Sequence, residues 1–214
     1  MTTRLGLPIL LVCGAFIIGA AGCRHAGVAH PTPLPAPATG SLPAPSPAAT
    51  EKPVAPEKNP PGDIPDSQVF ITYHSTTGGY VLDVPEGWAR SVSGTNVKFV
   101  DKYDGEQVIL TRSTTAPTVS SIRSEQVPAL QQHSRAVKIQ QVKTITMPHG
   151  YVAIAVVYTA NSDPNLVTGK QIRLDNTTYY YFHQGKLAAL TVWAPAGADN
   201  VDQWKRISAS FRWR

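Results

Sequence analysis

The sequence predicts an α+β domain, an antiparallel β-sheet flanked by helices, behind an export signal and a disordered proline-rich tether. From residue 67 onward the prolines thin out, and apolar residues alternate with polar ones in runs bounded by Gly, Asn, Asp or Pro. The links between runs are short, which favours antiparallel neighbours over parallel crossovers. Two stretches abandon this alternation for helical spacing, so helices must cover part of the sheet.

The strands are expected near 69–74 (VFITYH), 79–84, 88–92, 96–101 (NVKFVD) and 106–113. Four more follow near 137–146, 150–160, 168–182 and 186–194. Ser93-Gly94, Asp104-Gly105, His149-Gly150 and Gln184-Gly185 each offer a tight turn a residue that tolerates positive φ. In TVSSIRSEQVPALQQH, residues 118–133, Val119, Ile122, Val127 and Leu130 recur at roughly helical spacing, and Pro128 should kink or divide the helix. Near the C-terminus Asp199 reads as an N-cap with Asp202 in the first turn. Val201, Trp204, Ile207 and Phe211 then form one apolar stripe. Both helices are expected on one face of the sheet.

The first third of the chain differs in composition. Residues 5–22 carry no charge and follow Arg4, the pattern of an export signal. The segment Ala20-Ala21-Gly22-Cys23 resembles the lipobox of bacterial lipoproteins, with Ala20 where leucine is usual. That resemblance implies diacylglycerol on the Cys23 thiol and cleavage before it, giving domains 1–22 (signal peptide), 23–66 (lipidated cysteine and linker) and 67–214. An ordinary secretory signal, or an uncleaved apolar anchor, would equally place the rest outside the cytoplasm. Several acyl chains, at about 0.8 kcal/mol per buried CH2, hold a protein at a membrane far better than one. Cys13 would leave with the signal and Cys23 would be consumed by lipid, so the mature chain has neither a disulfide nor a thiolate metal site.

Between residues 31 and 65 lie 12 of the chain's 19 prolines and few large apolar residues. Nothing there offsets the entropy of ordering, and a semi-rigid polyproline-like spacer results.

Chemistry-bearing patterns are sparse in the remainder. No G-x-S-x-G elbow, Walker loop or G-x-G-x-x-G occurs. The six histidines are too dispersed to share a metal, so no cofactor is expected. Asp83, Glu86, Asp101, Asp104 and Glu106 fall in turns or at strand ends, where only the fold could bring two together. From residue 67 onward fifteen Lys and Arg face ten Asp and Glu, scattered rather than in a run. Nucleic-acid binding is therefore not expected; the charge reads first as a solvated surface, with a modest, salt-sensitive attraction to anionic lipid or wall polymers as the alternative.

Three aromatics are candidates for a ligand or partner surface. Trp88 follows the turn in GGYVLDVPEGW and either packs on the sheet or meets a ligand. In Tyr179-Tyr180-Tyr181-Phe182, alternation sends one pair to the core. The other pair, Tyr180 and Phe182, lines an apolar groove for a lipid or peptide or lies beneath a helix or a long loop. Trp193 belongs to the face of Leu190, Val192 and Ala194 or to the opposite one, depending on register.

The opening GGYVLDVPEGW, the aromatic Phe99, the middle helix, the long strand pair around 167–169, LTVWAP at 190–195 and the closing D..W..I..SF at 202–211 together resemble the PsbP/Mog1-like fold. The resemblance spans essentially all of the folded part. That superfamily includes PsbP, the Ran-binding protein Mog1 and many bacterial lipoproteins of unassigned role, several of them mycobacterial. It implies an antiparallel sheet flanked by helices, used for docking or assembly rather than catalysis. Two functions are then expected to compete. One is a lipid-anchored, non-enzymatic module on the extracytoplasmic face of the membrane that binds an envelope protein. The other is a carrier or sensor of an apolar small molecule or lipid.

Overall fold

The computed structural model describes residues 51–214. Ten strands form two antiparallel sheets. β1 (Phe70–Ser75), β2 (Tyr80–Pro85) and β10 (Arg212–Trp213) make a small sheet in the order β1-β2-β10. β3 (Ala89–Ser93), β4 (Asn96–Asp101), β5 (Asp104–Arg112), β6 (Arg135–Thr146), β7 (Val152–Asn161), β8 (Arg173–His183) and β9 (Lys186–Pro195) make a seven-stranded one. Its order is β3-β4-β5-β9-β8-β7-β6: two meanders joined where β5 pairs with β9. The expected α+β architecture and nine of the ten strands follow the alternation; β10, of two residues, is too short to leave a pattern.

The two faces of the large sheet bury different things. Tyr80, Leu82 and Val84 of β2 pack down onto Val97, Phe99, Val108, Leu190 and Val192, with Ile207 and Phe211 beside them. On the opposite face Ile122 of the middle helix meets Val142, Ile154, Val156, Tyr158 and Tyr180. The helices thus lie on opposite faces, not on one as the sequence suggested. β7 accounts for this, since Ala153 and Ala155 are buried on one side and Ile154, Val156 and Tyr158 on the other, so each face needs its own cover.

The middle helix is continuous through Pro128. α1 (Val119–Ser121) starts from a capping box in which Thr118 and Ser121 satisfy each other's backbone N–H groups. A π-helical turn, Ile122–Gln126, leads into α2 (Val127–His133), and Pro128 sits in the first turn of α2. Proline has no N–H to give, and the wider turn ahead of it absorbs the missing bond.

The C-terminal helix α3 (Val201–Ser210) begins one residue later than expected, with Asn200 rather than Asp199 at its N-cap. The Asn200 side chain does not cap the helix. Its Oδ1 accepts from the Ile64 N–H at 2.7 Å and its Nδ2 donates to the Gly62 carbonyl at 2.8 Å. Val201 is exposed, and Gln203 takes a buried place beside Ile207.

Asn200 holds part of a strap. Composition assigns residues 51–66 to the tether, but they lie along the domain without helix or strand, with Ile64 buried. The strap is fixed at its other end by buried Asn161. The Asn161 Oδ1 accepts from Val54 N–H at 3.1 Å, and its Nδ2 donates to Glu51 at 2.8 Å and to the Lys52 carbonyl at 3.0 Å. Two asparagines far along the chain supply the partners that the strap's own backbone lacks. Composition cannot register that.

Candidate functional site

The middle helix covers only the β6-β7-β8 side of its face, leaving the β4, β5 and β9 side bare. A cleft of about 620 Å3 opens there. Its floor is sheet: Lys98, Gln107, Thr191, Trp193 and Asn176 stand side by side on strands β4, β5, β9 and β8. Its walls are the end of α2 with Leu130 and His133, the β7–β8 loop with Asp163 and Lys170, and the β4–β5 turn with Lys102 and Tyr103.

Trp193 is the largest side chain on this floor. Val192 and Ala194 point to the core, so the register sends the indole to the cleft face. There it lies on Gly105, its partner across β5 and β9; a Cβ at that position would come 2.0 Å from the indole Cζ2. Sequence reading gave Gly105 to a turn, but Lys102 and Tyr103 make the turn, with Lys102 at φ 51°. Gly105 is inside β5 because the indole needs its surface. The Lys98 ammonium sits 5.3 Å from the centroid of that indole.

The cations of the cleft divide into two kinds. Arg135 pairs with Glu51 and, at 3.5 Å, with Asp163, and Lys170 pairs with Glu57, so two rim cations are held by strap carboxylates. The Glu51 pKa is lowered, chiefly by the Asn161 hydrogen bond and then by those from Gln171 and Arg135, and the bond to Glu57 raises that of Lys170. Lys98 and Lys102 are exposed and have no carboxylate within ion-pair distance among the described residues. Tyr158, at the helix side of the floor, is buried, which pushes its phenol above the ordinary range.

Nothing in the cleft forms a nucleophile with its base. The Ser162 hydroxyl donates to the Asp163 carbonyl and accepts from the Ile172 N–H, a loop-closing role. Among the described residues no three His, Cys, Asp or Glu side chains form a metal-binding group. Two perturbed carboxyls do exist, on the other side of the sheet. Asp104 and Glu106 share the core-facing side of β5, and burial drives Glu106 well above the carboxylate range, with Asp83 adding to it. Asp104 is pushed up to about 7, by burial first and then by Asp101 and Asp63. Gly62 of the strap closes over Asp104 so tightly that a Cβ there would lie 3.0 Å from its Oδ1. Glu106 belongs to the interior of a strand, not to a strand end, and the pair is sealed in rather than open to a substrate.

The aromatics singled out in the sequence have packing roles. Trp88 is half-buried and packs against the core cluster of Tyr80, Leu82 and Phe99. Tyr180 is buried under the middle helix, and Phe182 packs partly buried in the same cluster. None of the three lines the cleft. Cys23 lies outside the described residues. The cleft residues were visible only singly, as scattered lysines and an unassigned Trp193; strand register is what gathers them.

A second groove, about 600 Å3, runs between α3 and the β6–β8 end of the opposite face, with Trp204, Tyr179, Ile145 and Val157 among its lining. It is open to solvent rather than enclosed.

No family model matches the chain, and a search of the curated proteins finds no similar sequence. Solved structures are similar in fold. Cyanobacterial PsbP (CyanoP) from Synechocystis sp. PCC 6803 superposes with a TM-score of 0.50 at 18% identity, covering 72% of this chain and 99% of its own. The Ran-binding protein Mog1p of Saccharomyces cerevisiae covers 69% of this chain and 96% of its own at 10% identity, with a TM-score of 0.45. The described domain has the PsbP/Mog1-like α+β fold.

Proposed function

We propose that the protein is a non-catalytic docking module, tethered by lipid on Cys23 to the outer face of the cytoplasmic membrane, that binds an envelope protein through the cleft around Trp193. The observation that carries this reading is an open concavity with the Trp193 indole on its floor and two lysines, Lys98 and Lys102, that have no ion-pair partner among the described residues. Enclosed apolar ligand sites bury most of their ligand, whereas this surface is broad, polar at the rim and accessible from outside. An aromatic resting on a rigid sheet is a good anchor for a partner, because little freedom remains to be lost on binding.

The test is assembly in the native membrane. Detergent-solubilised wild-type protein should migrate on native gels in a species larger than the monomer. The Trp193→Ala/Lys98→Glu variant should run as monomer while circular dichroism and a cooperative melt show that it is still folded. Monomeric migration of the wild type, or an unaltered complex in the variant, contradicts the reading. For the anchor, Cys23→Ala should release the protein to the medium or leave it unprocessed, and unchanged size with full membrane retention contradicts lipidation.

The groove beside Trp204 supports a second reading, a carrier of an apolar ligand on the opposite face. That reading predicts co-purification of lipid with the wild type and its loss in Ile145→Asp.

A further inference from the structure

The strap sets two of its own carboxylates on the cleft's cations. Glu51 and Glu57 belong to one irregular segment of backbone, and each places a carboxylate on a cation that lines the cleft, Arg135 and Lys170 respectively. The two contacts differ in permanence. Glu51 is enclosed by Asn161, Gln171 and Arg135, with its neighbouring backbone bonded to a buried side chain. Glu57 has Lys170 alone as an ion-pair partner among the described residues, and that lysine is 64% exposed. Exposed single pairs of this kind are weak and exchangeable.

Lys98 and Lys102 extend the same basic lining across the floor and the facing wall, and among the described residues neither is matched by a carboxylate. Trp193 lies among them with Lys98 over its ring. We infer that the cleft binds an extended acidic peptide segment of a partner protein, whose carboxylates engage Lys98 and Lys102 and displace Glu57 from Lys170. The strap is then an internal competitor, a built-in acidic segment holding one of the partner's places. A flat anionic membrane is a poorer match, because the end of α2 and the β7–β8 loop wall the surface that carries the floor lysine and the indole. Release of Glu57 frees the strap near Lys58 while the Asn161 anchor holds Glu51, so partner binding loosens the middle of the strap.

This inference rests on the docking reading and names the partner's chemistry. The test uses the full-length protein in zwitterionic lipid nanodiscs and a fluorescein-labelled peptide of about twelve residues alternating Glu with Gly, read by anisotropy. The Glu peptide should bind and its Gln counterpart should not. Lys98→Glu/Lys102→Glu should weaken binding about tenfold or more, and Lys102→Glu alone should weaken it in the same direction. Glu57→Gln should strengthen it about threefold, the size expected for removing an exposed ion-pair competitor. The proposal is overturned if the Gln peptide binds equally, if the charge reversals leave affinity unchanged, or if Glu57→Gln has no effect. It is also overturned if vesicles containing phosphatidylglycerol bind through Lys98 and Lys102 while the peptide does not. A native complex that depends on Trp193 but is indifferent to the Glu peptide would leave docking standing and remove only the acidic chemistry.

Discussion

The indole of Trp193 occupies the space that a side chain on Gly105 would fill, one strand across the sheet. Glycine in a strand weakens it, and here an aromatic ring across the ladder covers the bare backbone. Gly105→Ala should therefore destabilise the domain by about 1–3 kcal/mol, since a Cβ at 2.0 Å cannot be accommodated without moving the ring. In a Trp193→Ala background the same change should be neutral or favourable, by up to about 1 kcal/mol. Chemical denaturation of the four proteins of this double-mutant cycle measures the coupling, and additive effects would deny the contact.

The sealed carboxyls predict a stability that declines with pH. Asp104 has an ordinary value of 3.8 and is held at about 7 in the fold. Between those values the folded state keeps a proton that the unfolded chain has released. Stability from this group is thus full below about pH 4, falls by up to about 1.4 kcal/mol per unit as pH rises, and falls no further above about pH 7. Glu106 is shifted in the same direction and adds to the fall. The wild type should melt at a lower temperature at pH 8 than at pH 5. Asp104→Asn/Glu106→Gln should flatten that slope and raise the midpoint at pH 8.

Asn161 predicts the behaviour of the strap. It serves Val54, Glu51 and Lys52 on one side, and on the other its Oδ1 accepts from the buried Arg173 guanidinium at 2.9 Å. Asn161→Ala strands several of these groups at once and should cost about 2–3 kcal/mol. It should also speed tryptic cleavage after Lys58, followed by mass spectrometry of the released fragment. Unchanged cleavage would mean that the strap is held by other contacts.

Phe211 joins the small sheet to the large one. Its ring stacks on Tyr181 at 4.3 Å and on Tyr80 at 5.4 Å between centroids, and the Tyr181 hydroxyl donates to the Ser208 carbonyl at 2.7 Å. Phe211→Ala should cost about 3–5 kcal/mol, among the largest losses for a single change in this core. Tyr181→Phe, which keeps the stack and loses only the hydrogen bond, should cost about 1 kcal/mol. Urea unfolding separates the two magnitudes.

Local rules were enough for the strands, because period-2 alternation reports which side of a strand is buried, and Tyr80, Leu82 and Val84 show it plainly. They were not enough wherever a residue answers to something distant in sequence. Asp104-Gly105 has the composition of a turn, yet Gly105 answers to Trp193. Asn200 has the composition of a helix cap, yet its amide is committed to Gly62 and Ile64. The helices went to opposite faces because β7 is apolar on both, a pattern that single-face alternation does not encode. The cleft was illegible for the same reason: Lys98, Lys102, Lys170 and Trp193 are scattered in the chain, and only strand order brings them to one surface.

The docking surface is tested most directly by placing a photo-crosslinking amino acid at Gln107, on the cleft floor, in the native cell envelope. A control position at Arg112, near the far end of the same strand, accompanies it. The account predicts a discrete protein adduct from position 107 that disappears when Lys98→Glu and Lys102→Glu are added, and none from position 112. Equal adducts from both positions, or a position-107 adduct that survives the charge reversals, would contradict it.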